Sequence, residues 1–170
     1  MSRRTIQCSG SSTTSLMPAL PRRPFYRNRR PTKLGRWLNR AWAAVYALGV
    51  LPSFLVALET KGRRTGRWTR NAVVVADYEG DRYLVSMLGE RVDWVRNIRA
   101  ASNTAVLHRR GRHPVRLEDV PIEQRAPILA VYYRRATGAR PHFDVPERPA
   151  LEEFARIAPD HPVFRIIDAP

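Results

Sequence analysis

The sequence predicts a mainly β, α+β domain, a small six-stranded barrel with an N-terminal amphipathic helix and further peripheral helices. Three observations carry this expectation. Runs of five to eleven residues alternate apolar and polar as strands do, and Gly-containing turns join them in pairs. The helix-period segments between them are short. Strands and helices also lack the regular alternation that builds a doubly wound sheet, so a barrel is left as the way to remove exposed edges.

The first strand is the apolar run from Phe54 to Leu58, and Trp68 to Tyr78 supplies the second. Glu79-Gly80-Asp81 is a hairpin signal leading into a third strand, Arg82 to Leu88. Arg110-Gly111 likewise joins Thr104–Arg109 to Arg112–Asp119. Between the hairpins, Val92, Val95 and Ile98 recur every third residue and predict a short helix over 90–101. Pro121 suits a helix start, and Ile122, Ala126, Leu129 and Tyr133 carry one face of a helix that Gly138 stops. Residues 139–148, with two prolines, read as a loop. Leu151, Phe154 and Ile157 predict a last short helix, and Pro162 to Ile167 a closing strand. Upstream, Leu34, Trp37, Leu38, Ala41, Trp42, Val45 and Leu48 share one helical face. The uncharged stretch from Ala41 to Leu58 is long enough to raise a membrane span, but Pro52 and Ser53 break it.

A chain of 170 residues, 44% hydrophobic and 26% charged, holds one core with an attached tail. Residues 1–30 read as a disordered basic tail and 31–170 as the folded domain. The net charge of +15 calls for an anionic partner, yet residues 1–58 carry ten basic residues and no acidic one. The remainder sets 20 basic residues against 15 acidic ones, so the body is only about +5. The acid-free start also has the composition of a transit peptide, whereas no apolar segment with a cleavage site argues for secretion. Cys8 stands alone, which excludes an internal disulfide and fits a reducing, cytoplasmic setting. The four histidines show no metal spacing, so no metal is expected.

The stretch that promises chemistry joins the first two strands: Lys61-Gly62-Arg63-Arg64-Thr65-Gly66-Arg67. Gly62 and Gly66 mark a sharp reversal and leave main-chain N–H groups without Cβ atoms in front of them. Lys61, Arg63, Arg64 and Arg67 surround those amides with positive charge, which suits a phosphate or several carboxylates. The alternative is a solvated basic hairpin tip. A second element, Ser86-Met87-Leu88-Gly89, ends a strand just before a helix, so free amides and a helix N-terminus there can meet a phosphate or a ring carbonyl. Trp94 offers a flat face for stacking or is plain core. Asn97 follows one turn on. Nucleophile elbows, zinc-protease motifs and dinucleotide fingerprints are all missing, and an enzyme without these borrows its chemistry from a cofactor.

Together these segments resemble the deazaflavin-dependent nitroreductase family. The resemblance rests on Thr60 to Arg67, on Ser86 to Gly89, on Asp93-Trp94-Val95-Arg96-Asn97-Ile98-Arg99-Ala100, and on His161-Pro162-Val163-Phe164-Arg165. It covers residues 30–168 and implies a split β-barrel of the FMN-binding-like type, binding of coenzyme F420, an 8-hydroxy-5-deazaflavin, and an actinobacterial source. It implies that Gly62, Arg63, Arg64, Thr65 and Gly66 hold the coenzyme's anionic tail, with Lys61 and Arg67 flanking them. Ser86, Met87, Leu88 and Gly89 would then lie by the ring, with Trp94 and Asn97. Two departures are Met87, where better-known members carry Lys, and Thr69, where they carry Arg. His142 and Phe143 stand in place of a tyrosine-rich substrate pocket, which leaves Tyr132 and Tyr133 as the nearest phenolic proton donors. The expected function is hydride transfer from reduced F420 to a quinone, enone or nitro compound, as in a quinone reductase. An FMN-binding barrel, and a non-enzymatic basic module gripping anionic lipid or nucleic acid, are the alternatives. Within the enzyme reading the partner is a small-molecule acceptor and not nucleic acid, and residues 1–50 are the segment for a peripheral membrane contact.

Overall fold

The computed structural model describes residues 53–169, together with the backbone of a two-residue ribbon formed by β1 (Tyr26–Arg27) and β2 (Arg30–Pro31). The ribbon straddles the expected boundary at residue 30, and the amphipathic helix expected over Leu34–Leu48 lies outside the described residues. Six further strands follow: β3 (Leu55–Lys61), β4 (Trp68–Tyr78), β5 (Asp81–Val85), β6 (Thr104–His108), β7 (Arg112–Asp119) and β8 (Val163–Asp168). They close an antiparallel barrel in the order β3-β4-β5-β8-β7-β6, and β6 pairs back onto β3 through Ala57↔His108 and Glu59↔Val106. The six-stranded barrel expected from the alternation is therefore the observed fold.

Alternation decides which side chains enter. Val56, Leu58, Val75, Leu84, Ala105, Leu107, Val115, Leu117, Phe164 and Ile166 form one buried cluster, the barrel interior. Helix α1 (Asp93–Ala100) sends Val95 and Ile98 into the same cluster, so it stops one mouth of the barrel. The opposite faces of β4, β5 and β8 put Ala76, Tyr83, Val85 and Val163 into a second cluster with α2 (Arg125–Arg135) and α3 (Leu151–Ile157). β5 and β8 thus have apolar cover on both sides.

Three expectations are corrected. β5 ends at Val85, not Leu88, because Ser86 Oγ donates to the Gly89 carbonyl at 2.7 Å and the Gly89 N–H returns to the Ser86 carbonyl at 3.2 Å, folding 86–89 into a turn. The helix expected to run from Pro121 to Gly138 is divided: a 3-10 turn over Ile122–Gln124 precedes α2, which stops at Arg135. The divide falls at Arg125, a buried guanidinium that donates to the carbonyls of Val120 and Ala158 and ties the two segments to the barrel. Residues 139–142, expected as the start of a loop, belong to a 3-10 helix over Thr137–His142, held by Arg140 Nε donating to the Tyr133 carbonyl at 3.2 Å.

Candidate functional site

The antiparallel register places the β3–β4 turn at the same end of the barrel as the end of β5, the start of β8 and the stopper helix α1. Two segments far apart in sequence, 61–67 and 86–89, are brought to one mouth in this way.

In the cation turn, the Gly62 N–H donates to the Arg67 carbonyl at 2.8 Å, and the Gly66 N–H to the Gly62 carbonyl at 2.8 Å. The glycine amides expected to face an anion are instead consumed in closing the turn. Both glycines are still needed: Gly66 has φ +67°, and a Cβ on Gly62 would sit 3.0 Å from the Arg67 carbonyl oxygen. Thr65 Oγ lies 3.4 Å from the Arg67 N–H, which bends the turn further. Lys61, Arg64 and Arg67 are exposed and have no acidic partner among the described residues.

Arg63 differs. Its guanidinium donates to Asp93 Oδ1 at 3.2 Å and to Asn97 Oδ1 at 3.0 Å, and its main-chain N–H reaches the same Asn97 oxygen at 3.2 Å. Asn97 is 5% exposed, and its Nδ2 points back to Thr60 Oγ1 at 3.4 Å. Asp93 occupies the first turn of α1, so the helix N-terminus expected to greet a phosphate already holds a carboxylate. Asp93 and Thr60 are site residues that sequence reasoning missed; the four-residue spacing of Asp93 and Asn97, which puts both on one helical face, was the signal for the first of them.

The second segment forms the other half. Met87 and Leu88 line a cavity of about 280 Å3 with Pro141, His142, Phe143 and Asp144. Ser86 is buried and its hydroxyl is spent on Gly89, so it shapes the turn. Gly89 has φ +83°, and a Cβ there would lie 3.0 Å from the Asp160 carbonyl oxygen. Phe143 stacks on His161 with centroids 4.5 Å apart, and His161 Nδ1 lies 3.3 Å from the Ser86 carbonyl, the geometry of an N–H donor. Burial holds the His142 imidazole below its ordinary value, so it is neutral at pH 7.

Trp94 is half-buried and meets Phe164 edge-on at 5.6 Å, which makes it part of the stopper. Tyr132 and Tyr133 are buried behind Phe143, at 6.0 Å and 5.9 Å between ring centroids, and neither lines the cavity. His142 is the titratable ring that does. A larger cavity of about 380 Å3, between α2 and the outer faces of Tyr83, Glu118 and Arg165, contains none of the expected site residues. Size is a weaker guide here than the convergence of charges and glycines.

The fold is thus a closed antiparallel barrel that carries an exposed cationic glycine turn and the Met87–Leu88 cavity at one end. The chain belongs to the F420H(2)-dependent quinone reductase family, whose model matches residues 36–147. Among solved structures it is similar to a conserved hypothetical protein from Mycobacterium tuberculosis, at 17% identity and TM-score 0.52, over 75% of this chain and 80% of that one. An F420-H2 dependent reductase, FDR-A, is similar at 16% identity and TM-score 0.48, over 69% and 96%. A protein of unknown function from Agrobacterium tumefaciens is similar at 14% identity and TM-score 0.49, and this chain spans 52% of its length against 73% of its own. No curated protein matches the chain. The family match gives F420 dependence and lends no support to the FMN alternative. Among the described residues no helix is long and apolar enough to cross a membrane.

Proposed function

We propose that this chain is an oxidoreductase that passes hydride from reduced coenzyme F420 to an electron-poor small molecule, a quinone or a conjugated carbonyl. One observation carries the reading: Lys61, Arg64 and Arg67 stand exposed and unneutralised around the Gly66 turn, at the same barrel mouth as the Met87–Leu88 cavity. A polyanionic tail and an attached flat ring need that pairing of features, and the residues present fit both. The cations would take the tail through charge-assisted hydrogen bonds. The Met87–Leu88 turn would hold the ring, with Pro141, His142 and Phe143 walling the acceptor's place.

When bound, the coenzyme supplies the hydride at C5 of its reduced deazaflavin. The protein's share is placement and exclusion of water, because holding donor and acceptor in contact replaces an improbable encounter. His142, neutral and at the cavity wall, is the side chain positioned to hold a proton near a reduced acceptor; buried Tyr132 and Tyr133 support Phe143. Exchanging Arg64 and Arg67 together for alanine is expected to weaken coenzyme binding at least tenfold, roughly 1.4 kcal/mol. A fluorescence titration with oxidised F420 measures this, and unchanged affinity removes the assignment. Coenzyme oxidation against a panel of quinones and enones then identifies the acceptor class; no turnover with any of them refutes it.

A further inference from the structure

Resting on that reading, the turn's four cations divide into two kinds. Lys61, Arg64 and Arg67 are exposed, whereas the Arg63 side chain is 22% exposed and committed to α1. One oxygen of Asn97 accepts both the main-chain N–H and the guanidinium of Arg63, fixing backbone and side chain of the same residue. The other end of that amide is committed too, to Thr60 Oγ1, which lies 3.3 Å from Thr69 Oγ1 across the β3–β4 pair. The amide is 5% exposed and its oxygen holds both Arg63 groups, so turning it to present its nitrogen to an anion would leave the Arg63 groups unpaired.

We propose that Arg63 and Asn97 are positioning residues: they bolt the cation turn to α1, so that Arg64 and Arg67 meet the coenzyme's tail at a fixed distance from the Met87–Leu88 turn. That turn leads directly into α1, so one helix spaces the two halves of the site. Asp93 completes the bolt, neutralising Arg63 so that the remaining cations are not pushed apart by a fourth. Without it, a short turn carrying this much like charge would sample many shapes, and binding would have to order it first.

Charge separates this role from direct contact. Asn97→Asp keeps an oxygen that accepts from both Arg63 groups, whereas Asn97→Ala removes it. In a titration with oxidised F420, Asn97→Ala is expected to lose at least tenfold in affinity, and Asn97→Asp to stay within threefold of wild type. If Asn97 touched the anionic tail, the new carboxylate would repel it and Asn97→Asp would bind worse than Asn97→Ala, which overturns the proposal. Asp93→Ala is expected to leave affinity unchanged or lower it up to threefold; tighter binding would mean that freed Arg63 grips the tail, and overturns the proposal as well. Arg63→Ala should lower affinity while keeping the wild-type salt dependence, and Arg64→Ala should flatten that dependence. Equal flattening by both counts against the bolt.

Trypsin supplies a readout that needs no coenzyme. Cleavage after Arg64 and Arg67 should be at least fivefold faster in Asn97→Ala than in wild type or Asn97→Asp, and equal rates refute the bolt. Wild-type protein that binds no F420 would sink the proposed function, and the protease comparison would still decide the role of Asn97. Circular dichroism checks that each variant is folded. Should Asn97→Ala fail to fold, exposed Asp93→Ala and the conservative Asn97→Asp carry the decision.

Discussion

Gly66 and Gly89 both adopt left-handed backbone, yet their surroundings predict different sensitivities. Nothing lies within 4 Å of a Cβ placed on Gly66, so Gly66→Ala meets only the backbone penalty, about 1 kcal/mol. At Gly89 the same methyl would press on the Asp160 carbonyl at 3.0 Å, so Gly89→Ala should lose about 1–3 kcal/mol and distort the turn that lines the cavity. Urea denaturation of the two variants side by side measures the difference; equal losses would mean that the Asp160 contact relaxes freely. At this scale the sequence disclosed which residues matter better than what they do. Gly62, Gly66 and the cations could be read as an anion turn, because glycine spacing and charge are local. That Arg63 turns back onto Asn97, 34 residues on, depends on which segments fold together and has no local signature.

Among elements, the seam between β3 and β6 closes the barrel, and it carries a buried charge. Glu59, 7% exposed, accepts from His108 Nε2 at 2.9 Å, from Arg70 Nε at 3.0 Å and from Arg112 at 3.4 Å. Burial pushes this carboxyl up, but the hydrogen bonds and charges of His108 and Arg70 outweigh it and hold Glu59 below its ordinary 4.5. The fold therefore favours the ionised form. Its stabilisation is complete above pH 4.5 and drains away as the pH falls through the lower folded value. Glu59→Gln should cost roughly 2 kcal/mol at pH 7, by leaving His108 and the arginines short of an acceptor, and should flatten the acid limb of stability. Chemical denaturation of both proteins at pH 7 and below 4.5 checks it, and identical acid limbs would refute the seam's role. Strand identities and the hairpins were legible, since alternation and turn residues are short-range. The 3-10 segments were not, because they arise from the contacts of Arg125 and Arg140 with carbonyls outside those segments. The early end of β5 was hidden because the apolar run continues through Met87 and Leu88 while the Ser86–Gly89 turn has already ended the strand.

At the scale of the molecule, two apolar clusters flank β5 and β8, and Phe164 anchors the inner one. It is fully buried, with Trp94 edge-on and the Arg99 guanidinium 5.5 Å over its ring. Phe164→Ala should cost about 3–5 kcal/mol in thermal or urea unfolding, and less than 1 kcal/mol would mean that the interior collapses onto the gap. The barrel was legible because six alternating runs without βαβ spacing leave few ways to hide their edges. Its order was not, since β5 meets β8 across a long excursion of chain. The stopper helix has one more consequence. Its inward face is core and its outer face holds the cation turn, so a ligand gripping that turn also holds the cork in the bottle. Bound F420 should then slow amide deuterium uptake at Leu58 and Leu117 in the barrel interior, and unchanged uptake at both would show that the cork is not tightened.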